Sequence, residues 1–195
     1  MVFAHMPWLS TDEQGHVVMW FGESPSDRTY HLPPPIAGIQ LHVVGDEKVV
    51  SCSALDTKDL VGLRSDQKVP SESEVFGSVT YGSYHGTRLT YHVEHLPQVD
   101  PANWPSAARE DADYQTVVSA LPDGGVSLVV LEHGKPLPKV DVKLFCEDGH
   151  EEASAKTDSA GLVTFTGSEV EPGLNSVMVS VSNPDAKGEV NGEAY

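Results

Sequence analysis

Val140-Asp141-Val142-Lys143-Leu144-Phe145-Cys146 alternates in side-chain character along most of its length. A strand sends successive side chains to opposite faces. Val140, Val142, Leu144 and Cys146 therefore share an inner face, and Asp141, Lys143 and Phe145 take the other. The same grammar extends outward. Val126-Ser127-Leu128-Val129-Val130-Leu131 is an apolar run, and Gly134-Lys135-Pro136-Leu137-Pro138 turns the chain between the two strands. Thr157-Asp158-Ser159-Ala160-Gly161 makes the next turn, and Leu162-Val163-Thr164-Phe165 the next strand. Pro172-Gly173 then leads into Val177-Met178-Val179-Ser180-Val181. Short strands with closely spaced turn residues specify antiparallel sheets. The expected core of this half is Val129, Val140, Val142, Leu144, Val163, Phe165 and Val179, with Cys146 buried and unpaired beside it.

The first half reads the same way with less regularity. Val17-Val18-Met19-Trp20-Phe21 is an apolar run that ends at Gly22 and Pro25. Ile39-Gln40-Leu41-His42-Val43-Val44 alternates, turns at Gly45-Asp46 and resumes at Val49-Val50. Gly77-Ser78-Val79-Thr80-Tyr81-Gly82 and residues 88–95 carry β-branched and aromatic side chains at period two. Tyr30-His31-Leu32-Pro33-Pro34-Pro35 reads as extended and polyproline-like. A short helix is expected only over residues 105–113. Leu121-Pro122-Asp123-Gly124-Gly125 is the expected seam. The fold class is therefore all-β: two antiparallel β-sandwich domains, Ig-like or transthyretin-like, over residues 1–122 and 123–195.

Composition narrows the partners. The 195 residues carry a net charge of −17 with only 12 Lys and Arg, which disfavours nucleic acid and anionic membrane and attracts cations. No run of 18 apolar residues occurs, so direct membrane insertion is not expected. Two cysteines, Cys52 and Cys146, make no disulfide scaffold and read as buried free thiols. The Asp111-Ala112-Asp113 and Glu147-Asp148 pairs lack the spacing of a calcium loop and read as solvated. Trp8, Trp20, Trp104, Tyr81, Tyr84 and Tyr91 would suit a sugar-stacking platform, but read better as core aromatics. No nucleophile elbow, His-Glu-x-x-His or phosphate loop occurs.

The histidines are the chemistry-bearing residues, and seven of the nine precede residue 122. Val2-Phe3-Ala4 reads as the end of an export signal, with small residues at the −3 and −1 positions of a cleavage site. Cleavage after Ala4 would leave His5 as the first residue, where its α-amine and ring nitrogen form a chelate that suits Cu, Ni, Co or Zn. His85 lies between Gly82 and Gly86 in a turn that lets backbone approach an ion. His92 and His95 follow on the next strand but on opposite faces. The candidate metal ligands are therefore His5, His85 and one of His92 or His95. His150 is given no part.

The second half resembles the carboxypeptidase-regulatory-like and transthyretin-like sandwiches, on Gly134 to Val142, Thr157 to Gly161 and Pro172-Gly173. The whole chain resembles an exported bacterial family related to the periplasmic accessory proteins of nickel and cobalt uptake (NikM-like). The matching residues are Ala4-His5-Met6-Pro7-Trp8-Leu9, Phe21-Gly22-Glu23 and Tyr81-Gly82-Ser83-Tyr84-His85-Gly86. The resemblance implies a periplasmic or extracellular protein that captures or delivers Ni, Co or Cu and works with a membrane transporter or cell-surface protein. By it His5 and His85 carry over as ligands, although no downstream His-x-His pair occurs. It also implies that the second sandwich stops short of a closing strand. Two other functions fit the residues: a non-enzymatic cell-surface module recognising carbohydrate or protein, and a copper-dependent oxidative enzyme built on His5.

Overall fold

The computed structural model describes residues 5–46 and 48–195. Strands occupy 47% of it and helices 4%, and every strand pair is antiparallel. The chain divides into two compact units, Met1–Gln98 with Asn183–Tyr195, and Val99–Ser182.

In the first unit, β1 (Met6–Thr11), β2 (Val17–Gly22), β5 (Cys52–Asp56) and β6 (Val61–Ser65) form one sheet in the order β1-β2-β6-β5. The other sheet is β4-β3-β7-β8, from β3 (Gln40–Val43), β4 (Val49–Val50), β7 (Val75–Tyr84) and β8 (Thr87–His95). Val17, Met19, Phe21 and Leu63 of the first sheet form one buried cluster with Leu41, Val75 and Val93 of the second. Ile36 and Ile39 complete it. Ile36 sits on α1 (Pro34–Ala37), where extended backbone was expected through Pro35. Pro33 is extended, but Pro34 opens a helical turn: a proline has no N–H to lose there and its φ is already helical.

The second unit contains β9 (Tyr114–Ala120), β10 (Val126–Glu132), β11 (Lys135–Pro136), β12 (Asp141–Cys146), β13 (Glu151–Lys156), β14 (Leu162–Phe165) and β15 (Asn175–Ser180). β10 pairs with β9 over its whole length, and with β14 and β11. β12 is the middle strand of β13-β12-β15. The expected seam at 122/123 falls inside the β9–β10 hairpin, whose seven ladder pairs hold both strands in one unit. The helix expected over 105–113 is absent, and a single 3₁₀ turn stands earlier, at Pro101–Asn103. Residues 101–113 carry too weak a periodic stripe to bury a helix face. A two-stranded hairpin, β16 (Glu189–Val190) with β17 (Glu193–Ala194), follows and belongs to the first unit.

The expected core of the second unit holds at Val142, Leu144, Val163 and Phe165, all 5% exposed or less. Val129 and Val140 are only half-buried, as is Val179. On β10 the buried residues are Leu128, Val130 and Leu131, so the inward phase there is one residue off the expectation. Thr157 explains the turn that follows β13. Its hydroxyl donates to the Leu137 carbonyl at 2.8 Å and accepts from the Val140 N–H at 3.1 Å. The Asp158 carboxylate accepts from the N–H groups of Ala160 and Leu162, which closes the tight turn before β14.

Candidate metal centre

The β12–β13 hairpin brings three ligand types together. β12 ends at Cys146, and Glu147, Asp148, Gly149 and His150 make the turn. The Cys146 N–H donates to the His150 carbonyl at 3.1 Å, and the Gly149 N–H to the Cys146 carbonyl at 3.0 Å. Gly149 has φ 84°, a left-handed value that a side chain would strain. The turn therefore sets His150 beside Cys146. Beyond it the ladder slips: Leu144 faces Ala153, but Phe145 faces Glu151. Glu152 is the extra residue of a β-bulge. Bulges re-aim a side chain out of strict alternation and recur next to functional sites.

The ligand atoms of Cys146, His150 and Glu152 lie within 4.8 Å of one another. The thiol stands at the buried base, with Cys146 7% exposed, and His150 is exposed at the lip. Bonds of about 2.3 Å to sulfur and about 2.0–2.2 Å to nitrogen or oxygen place tetrahedral ligands roughly 3.4–3.7 Å apart. To hold an ion, atoms at the outer limit of 4.8 Å would have to draw in by about 1 Å. Glu151, the neighbouring carboxylate, is held by Lys143 across the ladder. The Asn175 side chain opposite Cys146 is also occupied. It accepts from the Glu171 N–H and donates to the carbonyls of Glu171 and Gly173. A thiolate, an imidazole and a carboxylate together suit a first-row transition ion or Zn, and not Mg or Ca.

No protein-family model, curated protein or solved structure matches the chain. The site therefore rests on its own chemistry.

The histidines expected to form a site are spread over the first unit. Residues 1–4, and with them the cleavage expected after Ala4, lie outside the described residues. The His5 ring packs on Tyr30 with centroids 3.8 Å apart and lies 5.9 Å from Phe21. Its Nε2 is 3.9 Å from a Glu23 carboxylate oxygen. The Tyr91 hydroxyl donates to the His5 carbonyl at 3.1 Å, and burial pushes the Tyr91 pKa up. His5 is thus seated in an aromatic cluster.

His85 has φ 51° and Gly86 φ 76°, the paired positive values of a type I′ hairpin turn between β7 and β8. His85 is exposed at the tip, with its ring edge-on to Tyr84. His95 ends β8, on the order of 30 Å from the turn at about 3.4 Å per residue. His92 pairs across from Ser78, while His95 shares the face of Val93 and Tyr91. The His95 Nε2 is buried with no hydrogen-bond partner, and burial lowers its pKa. Among the described residues these four histidines form no ligand cluster: His85 sits in the turn, and β8 spreads His92 and His95 along its length and over both faces.

Both cysteines are free, Cys146 buried and Cys52 half-buried. Burial, with Asp66 nearby, raises the Cys52 pKa. The spacing Cys-x₃-His-x-Glu was visible in the sequence. Its meaning depends on the hairpin register and on the bulge at Glu152, which residue pattern alone does not carry.

Proposed function

We propose that the chain is a transition-metal-binding β protein that holds Ni, Co or Zn on the β12–β13 hairpin through Cys146, His150 and Glu152. The convergence of those three ligand atoms within 4.8 Å carries the reading. The net charge of −17 supports it by raising the local concentration of cations. In this reading the site moves from the histidines of the first unit to the second, while the role of ion capture or delivery is kept. Export to the periplasm or outside the cell, kinship with the nickel and cobalt uptake proteins and a transporter or cell-surface partner belong to the same proposal. So does a stacking, as a sandwich, of the two four-stranded sheets of the first unit and of the two sheets of the second, supported in the first unit by the core cluster drawn from both four-stranded sheets.

Calorimetric titration of the full chain with Ni, Co and Zn tests the function. One ion per chain is expected, with affinity falling at least about 100-fold in Cys146→Ser and in His150→Ala, since losing even an outer-shell partner of a ligand costs ~10–100-fold. Unchanged affinity in both variants contradicts the site. Absence of binding by the unaltered chain contradicts the function and favours a recognition module.

A further inference from the structure

We infer that this metal site is an open exchange site, in which the ion takes its fourth ligand from outside the chain, an imidazole side chain of an acceptor being the donor that fits. The inference rests on the metal reading above and names how that site would be used.

Three observations carry it. The first is ligand number. Cys146, His150 and Glu152 are the converging set, and among the described residues no fourth His, Cys, Asp or Glu joins them. Three protein ligands with one free position mark a site that exchanges or reacts, whereas structural zinc sites close all four positions. Two of the neighbouring polar groups are engaged elsewhere. Lys143 holds the Glu151 carboxylate, and the Asn175 amide is spent on Glu171 and Gly173.

The second is the direction of the opening. Cys146 is buried at the foot of the turn, and Glu147, Asp148 and His150 are exposed around it. An ion held between base and lip keeps its outer hemisphere toward solvent, where a second molecule can reach it.

The third is independence from the fold. Cys146 is fixed by backbone ladders on both sides, Asn175 of β15 across one edge and the His150 carbonyl at the other. Val142 and Leu144 anchor the same strand at 0% and 1% exposure. The hairpin is thus held by packing and hydrogen bonds, so the ion can leave without unfolding the unit. That contrasts with small zinc domains, whose binding energy is their folding energy.

An imidazole suits the open position. It is neutral near pH 7, it binds all of these ions, and it adds no further negative charge beside a thiolate and a carboxylate. Transfer then proceeds by ligand substitution with no change of oxidation state. The incoming nitrogen makes the fourth bond to the ion; the Glu152, His150 and Cys146 bonds then break in turn as water or further donors of the acceptor take their places, and the freed Cys146 thiolate takes a proton from solvent.

The test uses the full chain loaded with Co(II) and free imidazole as the probe. Co(II) alone should give a thiolate-to-metal charge-transfer band together with visible ligand-field bands. Imidazole should then shift the ligand-field bands saturably, with one equivalent bound, while the charge-transfer band persists. Glu152→Ala, which frees a second position, should bind two equivalents. A spectrum that ignores saturating imidazole overturns the open site and leaves the metal site standing. Loss of the charge-transfer band at low imidazole overturns it as well, since the donor then strips the ion without forming a mixed complex. If Co(II) produces no charge-transfer band at all, the metal reading itself fails and this inference falls with it.

Discussion

The first unit holds seven of the nine histidines and the second holds two, yet the converging ligands belong to the second. In the first unit the histidines ride on long, regular pairing. β7 and β8 run beside each other from Val75–His95 to the Tyr84–Thr87 turn, so position along the ladder separates His85 from His95 and alternation separates His92 from His95. In the second unit one tight turn and one bulge bring residues four and six apart onto a single spot. Abundance of a ligand type says little about a site. A break in regular pairing, next to ligands of mixed softness, says more.

The largest test of this comparison concerns where one unit ends and the other begins. A fragment of residues 99–182 should unfold cooperatively in urea, and a fragment of 123–195 should not. The second lacks β9, which covers β10 with seven ladder pairs, and strands left with bare edges are marginal. Cooperative unfolding of the shorter fragment would restore the seam near residue 122.

Leu144→Ala comes next. Leu144 is 1% exposed on the strand that carries Cys146, so truncation should destabilise the second unit by about 2–5 kcal/mol through lost burial and a cavity. Val129→Ala, at a half-buried position, should cost less, roughly 1 kcal/mol. Equal losses in chemical denaturation would mean that the burial phase of β10 is misplaced.

In the first unit His95 is the histidine whose burial links stability to pH. Burial lowers its pKa below the ordinary value of about 6.5, so the unfolded chain takes up a proton at a pH where the folded chain does not. Its contribution to stability is present above about pH 6.5 and is lost as pH falls toward the lower folded value. His95→Phe keeps a ring and removes the titration. Its stability should therefore decline less steeply than that of the unaltered chain below about pH 6.5. Parallel curves would show that His95 is not desolvated.

The smallest effect is expected at His85. Its left-handed position in a type I′ turn is one that Asn fills with less strain, so His85→Asn should stabilise the first unit by about 0.5 kcal/mol or less. Metal affinity should be unaffected. A loss of affinity would return His85 to the ligand set.

These cases show what was legible in the sequence. Alternation located β3, β7, β8 and β12 and the turns between them, because one face of each is more buried than the other and the pattern is written in residue type. It failed on β10, where Leu128, Val130 and Leu131 are all buried, since a strand covered on both faces carries no phase. It failed at Pro34 because three consecutive prolines suit an extended chain and also the first turn of a helix. Cys146 was legible as a buried thiol. Its partners were not, because His150 is an exposed turn residue and Glu152 an unpaired bulge residue, and each reads as solvated when taken alone.

The most direct measurement compares the two regions within one experiment: calorimetric Ni(II) titration of the His5→Ala/His85→Ala/His95→Ala triple variant against His150→Ala. The triple variant should retain one ion with affinity within about threefold of the unaltered chain, or less than ~0.7 kcal/mol. The single variant should lose at least about 100-fold, or ~2.7 kcal/mol. The reverse order, with binding lost in the triple variant and kept in His150→Ala, would contradict the account and place the metal in the first unit.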